Sequence, residues 1–296
     1  MTSWLRHAKG ATALLELRGE EQLNTNLGRA LFTQTRTHII AGSVQTKTPL
    51  PELVIRLSRK YREATSNPLE DIIPLISHFC QIRSGRPFYP VRNQTESTTR
   101  TIISQYTTLS QQMQDWHDQL PSSFSPARKF PQKPSASMLS EYYHVYDDVW
   151  TAAVVNNCNT NHMLVNEALI IQLSYLQDHF ARDAAELVEL NESITRARST
   201  VINLVDEVCA SVPHLLQSNM AAAGVGLLWA LYVSAQISPR AASVHASTRG
   251  WIMNRLENIG AELGVRQATT LAGFLREGVK LSQVLDGSAG QDEEDD

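Results

Sequence analysis

Long apolar runs, grouped cysteines and an excess of charge of one sign are all missing from this chain of 296 residues. No stretch approaches the roughly 18 uninterrupted apolar residues that a membrane-crossing helix needs. The nearest, residues 220 to 237, is broken by Gly224, Gly226, Ser234 and Gln236 and reads as a buried core helix, so no membrane partner is expected. The start of the chain has no charged lead into an apolar segment, and no signal peptide is expected. The Asn93-Gln94-Thr95 and Asn191-Glu192-Ser193 sequons are accordingly read as chance. Three cysteines, Cys80, Cys158 and Cys209, lie far apart, too few and too scattered for a structural zinc site or a disulfide framework. They read as small buried hydrophobes in a reducing compartment.

The formal net charge is −4, and the last six residues carry five negative charges, so the remaining body sits near +1. A body that close to neutral argues against an extended phosphate-binding surface. Residues 287–296 read as a disordered, solvated acidic tail. The densest basic set, Arg56, Arg59, Lys60 and Arg62, fits the wet side of an amphipathic helix. Arg83, Arg86 and Arg92 interleave with Phe88 and Tyr89, a pattern that can grip single strands but is commoner in mixed surface loops.

Motifs of catalysis are also lacking. There is no His-Glu-x-x-His, no Gly-x-Ser-x-Gly and no phosphate-binding Gly-x-x-x-x-Gly-Lys. Gly224-Val225-Gly226 has no strand before it, which a dinucleotide fingerprint requires; close helix packing explains it better. Asp147-Asp148 raises the thought of magnesium, but no third carboxylate follows at three or four residues, and the pair suits the first turns of a helix. His162 and Glu167 are five residues apart and fall on different helix faces. No catalytic, cofactor-binding or metal-ligating residue is assigned, and the cofactor expectation is none.

What is present is helical periodicity. Trp4, Ala8, Ala11, Leu14 and Leu15 share a face, with Gly19 as the cap. Leu53, Leu57 and Tyr61 mark a second helix after Pro49 and Pro51. Asn67-Pro68 opens a third segment through Phe79, with a kink expected at Pro74. Ile102, Tyr106, Leu109, Met113 and Trp116 form a clean stripe that ends at Leu120-Pro121. Residues 121–137 hold Pro121, Pro126, Pro131 and Pro134 among serines and read as a linker, either extended or mobile. A long helix is predicted from Ser140 to His179. The stripe Ile194, Ala197, Val201, Leu204, Val205 and Val208 ends near Pro213, and later helices gather around Leu227 to Leu231, Trp251 to Leu263, and Ala268 to Leu275. The fold class is therefore all-α: a multi-helix layered bundle of about nine to eleven helices. Residues 1–286 are expected to form a single domain, with the linker inside it and the tail beyond.

Four ordered blocks carry a resemblance. The first is Trp4, His7, Gly10-Ala11, Leu14-Leu15 and Arg18-Gly19, continued by Gly28-Arg29, Leu31-Phe32 and Arg36. The second is Trp116, Leu120-Pro121 and the stretch Phe124 to Pro126. The third is Val145-Tyr146-Asp147, Trp150 and Ala152. The fourth is Leu228-Trp229-Ala230-Leu231, Arg249, Trp251, Leu256, Ile259-Gly260, and Gly264 to Ala268 with Leu271-Ala272. In order and spacing they resemble the fungal-specific transcription factor domain, the regulatory region of fungal zinc-binuclear-cluster transcription factors. Where relatives commonly carry an aromatic-Arg pair and a further arginine, this chain has Cys158-Asn159 and His162. The six-cysteine DNA reader has no counterpart in these residues.

The resemblance implies a nuclear, non-enzymatic regulator that acts by protein or ligand binding, tied to a secondary-metabolite gene cluster. It implies protein partners or a zinc-cluster DNA-binding module supplied elsewhere, contact with DNA only indirectly, and room for a homodimer. The rival expectation is an all-α enzyme or small-molecule-binding protein of terpene-synthase-like size, with a helical pocket into which His144, Asp147 and Glu167 converge.

Overall fold

The computed structural model describes residues 2–86, 90–91, 93–133, 138–217, 221–237 and 246–279; the side chains of residues 2–9, 221–223 and 246 are not among those described. Its architecture is all-α, with ten α-helices and one two-stranded sheet among the described residues. The chain packs as two compact units, Met1–Phe88 and Tyr89–Leu281, where one domain over 1–286 was expected. The predicted acidic tail lies outside the described residues, as do Trp4 and His7 of the first block at the level of side chains.

The first unit contains α1 (Thr2–Arg18), α2 (Asn26–Thr46), α3 (Glu52–Thr65) and α4 (Ile72–Arg83). Gly19 ends α1 at φ +62, a conformation that costs glycine nothing, as its place after the apolar stripe predicts. The periodicity reading passed over α2 entirely, although Phe32, Ile39, Ile40 and Val44 are buried along it. Polar residues on the same face, Thr33, Arg36 and Ser43, hide that stripe. Leu15, Leu23, Phe32, Ile39, Val54 and Leu57 form the core of this unit, with Leu53 and Tyr61 against it. The predicted kink at Pro74 is corrected: a 3-10 turn, Pro68–Asp71, precedes α4, and Pro74 falls in that helix's first turn, where its missing N–H is no loss.

The second unit begins with α5 (Glu96–Asp118), whose stripe Ile102, Tyr106, Leu109, Met113 and Trp116 is buried throughout. A 3-10 turn, Ser122–Phe124, leads into strand β1 (Ala127–Lys129), which pairs antiparallel with β2 (Tyr143–Val145), Arg128 opposite His144. In this ribbon part of the linker is exposed, extended strand, in keeping with the first of its two readings. One expectation is corrected: the long helix predicted from Ser140 starts only at Val149. That helix, α6 (Val149–Phe180), is capped by Asp148, which accepts from the Thr151 N–H at 2.8 Å and the Thr151 hydroxyl at 2.7 Å. A capped N-terminus is worth about 1 kcal/mol and favours a helix start just after the strand.

Helix α7 (Ala184–Gln217) runs on through Pro213 rather than ending there. Helices α8 (Ala221–Gln236), α9 (Ala246–Leu263) and α10 (Arg266–Glu277) complete the unit. Helix α6 is its middle layer, packed against α5, α7 and α8, while α8 also carries α9 and α10. A Cβ on Gly224 of α8 would stand 2.8 Å from Leu263 and 3.1 Å from Ile259, so close helix approach is indeed what this glycine serves. Among the described residues no helix is long and apolar enough to cross a membrane.

Candidate functional site

Over residues 158–170 helix α6 is buried on every side, yet it is rich in polar residues. Asn156, Asn159, Thr160, Asn161, His162, Asn166, Glu167 and Gln172 are all buried. Buried polar groups need partners, and neighbouring helices supply several. Asn156 Nδ2 donates to Ser211 Oγ of α7 at 2.8 Å, and Ser211 donates to the Val208 carbonyl at 2.7 Å. Gln94 Nε2, just before α5, donates to Gln172 Oε1 at 2.7 Å.

The most informative set is Ser110 of α5 with His162 and Asn166. Ser110 Oγ lies 3.0 Å from His162 Nε2 and 3.1 Å from Asn166 Oδ1. Asn166 Nδ2 donates to the His162 carbonyl at 2.9 Å, which fixes its amide so that Oδ1 faces the serine. A hydroxyl has one proton and Oδ1 can only accept. Ser110 therefore donates to Asn166, and the proton between Ser110 and His162 belongs to the imidazole. Burial, with His117 adding to it, holds the His162 pKa down at about 4, so this is the neutral ring protonated on Nε2. A serine–histidine catalytic pair needs the opposite direction, with the hydroxyl donating to the ring. The seam is built to lock α5 to α6.

A second polar group sits under the ribbon. His144 of β2 is buried at 1 % exposure, and its Nδ1 is 3.6 Å from Glu207 Oε2 of α7. Arg128 of β1 reaches Glu207 Oε1 at 3.5 Å and lies 4.9 Å over the Tyr142 ring. Burial, then the charges of Arg128 and His117, depress the His144 pKa to about 4. Burial also pushes the Glu207 carboxyl up, against the pull of Arg128. Glu207 thus ties β1 to α7 through Arg128, while the neutral His144 ring of β2 packs beside it with no hydrogen bond to its Nδ1. Asp147, by contrast, is exposed, so the convergent set His144, Asp147 and Glu167 does not form. Among the described residues no three His, Cys, Asp or Glu side chains are placed to hold a metal.

The first unit holds an open cleft of about 510 Å³ between α3, the Pro68–Asp71 turn and α4. Ile55, Ile73 and Pro74 give it apolar walls, and Arg59, Arg62, His78 and Gln81 give it polar ones. One wall is Glu70, held by Arg36 at 2.5 and 2.8 Å, with both side chains 5 % exposed. Arg36 also reaches Ser58 at 3.4 Å and lies over the Phe32 and Tyr61 rings at 5.1 and 5.7 Å. Sequence reasoning missed this pair; its partners are 34 residues apart and only the packing of α2 brings them together.

The basic residues resolve into structural roles. Arg56 and Lys60 pair with Glu20, and Arg62 with Asp71, on the exposed side of α3, as expected for a wet helix face. Arg83 is buried, donates to the Val44 carbonyl at 3.1 Å and covers the Phe79 ring, so it belongs to no surface loop; Arg92, Phe88 and Tyr89 lie outside the described residues. All three cysteines are free and buried, as read, and burial pushes the Cys80 thiol up to about 12. Cys158, Asn159 and His162 are buried on α6. No protein-family model, no curated protein and no solved structure matches this chain.

Proposed function

We propose that the chain is a regulatory and interaction domain of the fungal-specific transcription factor kind, working in the nucleus by binding a protein or ligand. The observation that supports binding over catalysis is the proton direction in the Ser110–His162–Asn166 set. There the pairing that would otherwise suggest an activated serine is turned toward helix locking. The order of the four sequence blocks supports the class. Trp116 is buried at the end of α5, the Val145–Trp150 block straddles the start of α6, and Gly264 turns the chain at φ +69 between α9 and α10.

The decisive experiment joins the chain to a heterologous DNA-binding module and measures a reporter gene. The expected result is transcription shifted severalfold from that of the module alone, in either direction. An unchanged reporter, together with nanomolar binding of a defined duplex by the isolated chain, would overturn the proposal. The cleft beside Glu70 favours a second reading, a small-molecule-binding protein. Under it, a ligand raises the melting temperature of the chain and Ile73→Trp, which fills the cleft, removes that rise.

A further inference from the structure

We propose that Ser125 is a phosphorylation site for a proline-directed serine/threonine kinase that reads a basic residue three positions on. The chain carries Thr48-Pro49, Ser125-Pro126 and Ser238-Pro239, and only after Ser125 does the third position hold a base: Pro126, Ala127, Arg128, then Lys129. Thr48 is followed by Leu50, which is buried, and Pro51. Its hydroxyl is engaged with Thr46 at 2.9 Å.

The backbone at Ser125 is already that of a kinase substrate. Its φ is −89 and its ψ is 137, extended, as a residue before proline prefers. Ser125 is exposed, and β1 behind it is exposed at all three residues. That strand pairs on one side only, with β2, so entry into an active site breaks that one pairing and the exposed Arg128–Glu207 contact. Pro126 brings no N–H, and a substrate pocket that offers that position no acceptor selects for it. Arg128 stands about 10 Å along an extended chain from Ser125, within reach of an acidic patch on the enzyme. Its own contacts, Glu207 at 3.5 Å and the Tyr142 ring, leave it 59 % exposed.

In the reaction the Ser125 Oγ forms a bond to the γ-phosphorus of a magnesium-bound nucleoside triphosphate. The hydroxyl proton passes to a carboxylate of the kinase, the bond from the β-phosphate bridging oxygen to the γ-phosphorus breaks, and the nucleoside diphosphate leaves. The product adds about two negative charges at pH 7, at the foot of the ribbon that Arg128 ties to Glu207.

The test uses the whole folded chain, magnesium ATP and a purified cyclin-dependent kinase, followed by intact mass and site mapping. One phosphate per chain on Ser125 is expected. Ser125→Ala abolishes it, and Arg128→Gln slows its addition about tenfold or more, as loss of a charge contact in a substrate does. Equal incorporation by Ser125→Ala, a main site at Thr48 or Ser238, or no phosphate on the native chain each overturns the proposal. Circular dichroism of the variants, matching that of the native chain, excludes misfolding as the cause of a loss.

Discussion

His162 is held neutral by burial, and folding depends on pH through it. Its folded pKa of about 4 lies below the ordinary 6.5, so between those values the unfolded chain binds the extra proton. Its contribution is complete above pH 6.5 and is lost as the pH falls toward 4; the full shift corresponds to on the order of 3 kcal/mol. Urea unfolding from pH 7 down to pH 4 is expected to show a decline that His162→Gln reduces and that His144, depressed to about 4 as well, continues to carry; an equal decline in both proteins would refute the assignment. The proton direction has a separate test. Ser110→Ala leaves the His162 N–H and the Asn166 carbonyl oxygen without their shared partner, and a stability loss of about 1–3 kcal/mol is expected from equilibrium denaturation. Gly28 makes the sharpest steric case, since a Cβ there would stand 1.8 Å from the Gln22 carbonyl oxygen. Gly28→Ala is expected to cost at least about 1–3 kcal/mol by the same measurement, and a neutral effect would mean that the Glu20–Asn24 turn moves freely.

Between elements, Arg36 of α2 and Glu70 in the turn before α4 form a buried ion pair. Removing one member strands a buried charge. Glu70→Ala is expected to cost about 3–5 kcal/mol, while a double change to Arg36→Met and Glu70→Leu costs much less. A double variant as unstable as the single one would show that packing, rather than charge, sets the loss. The start of α6 teaches a related lesson. Tyr142 to Tyr146 reads as helix by composition, yet Asp148 caps α6 and Tyr143–Val145 pairs with a strand whose three residues are all exposed. No hydrophobic pattern announces such a strand, because hydrogen bonding to β2 and the Arg128–Glu207 contact hold it in place of burial.

At the scale of the whole molecule the chain divides into two units, and a core cluster of the first joins Leu15, Leu23, Phe32, Ile39, Val54 and Leu57, with Leu53 and Tyr61 against it, while α4 buries Ile72, Ile76 and Phe79. Hydrogen exchange on the Glu70→Ala chain is therefore expected to lose protection in α2, α3 and α4 far more than in α6. Equal loss across both would mean that the chain unfolds as one cooperative body. Length alone permits one large domain or two small ones, and nothing in composition marks the change near residue 88.

Local order was readable from residue order alone. The stripes of α5 and α7, the glycine stops at Gly19 and Gly264, and the near-neutral body follow from spacing and chemistry within a few residues. The division into units, the ribbon, the reach of α7 past Pro213 and the Arg36–Glu70 pair came only from the folded chain. So did the meaning of the polar residues on α6. A buried asparagine or histidine is neither structural nor reactive by itself; the partner across the helix interface, and which of the two holds the proton, decides it. Those partners lie some 50 residues away or more in Ser110 and Ser211, beyond the range over which any periodic pattern carries information.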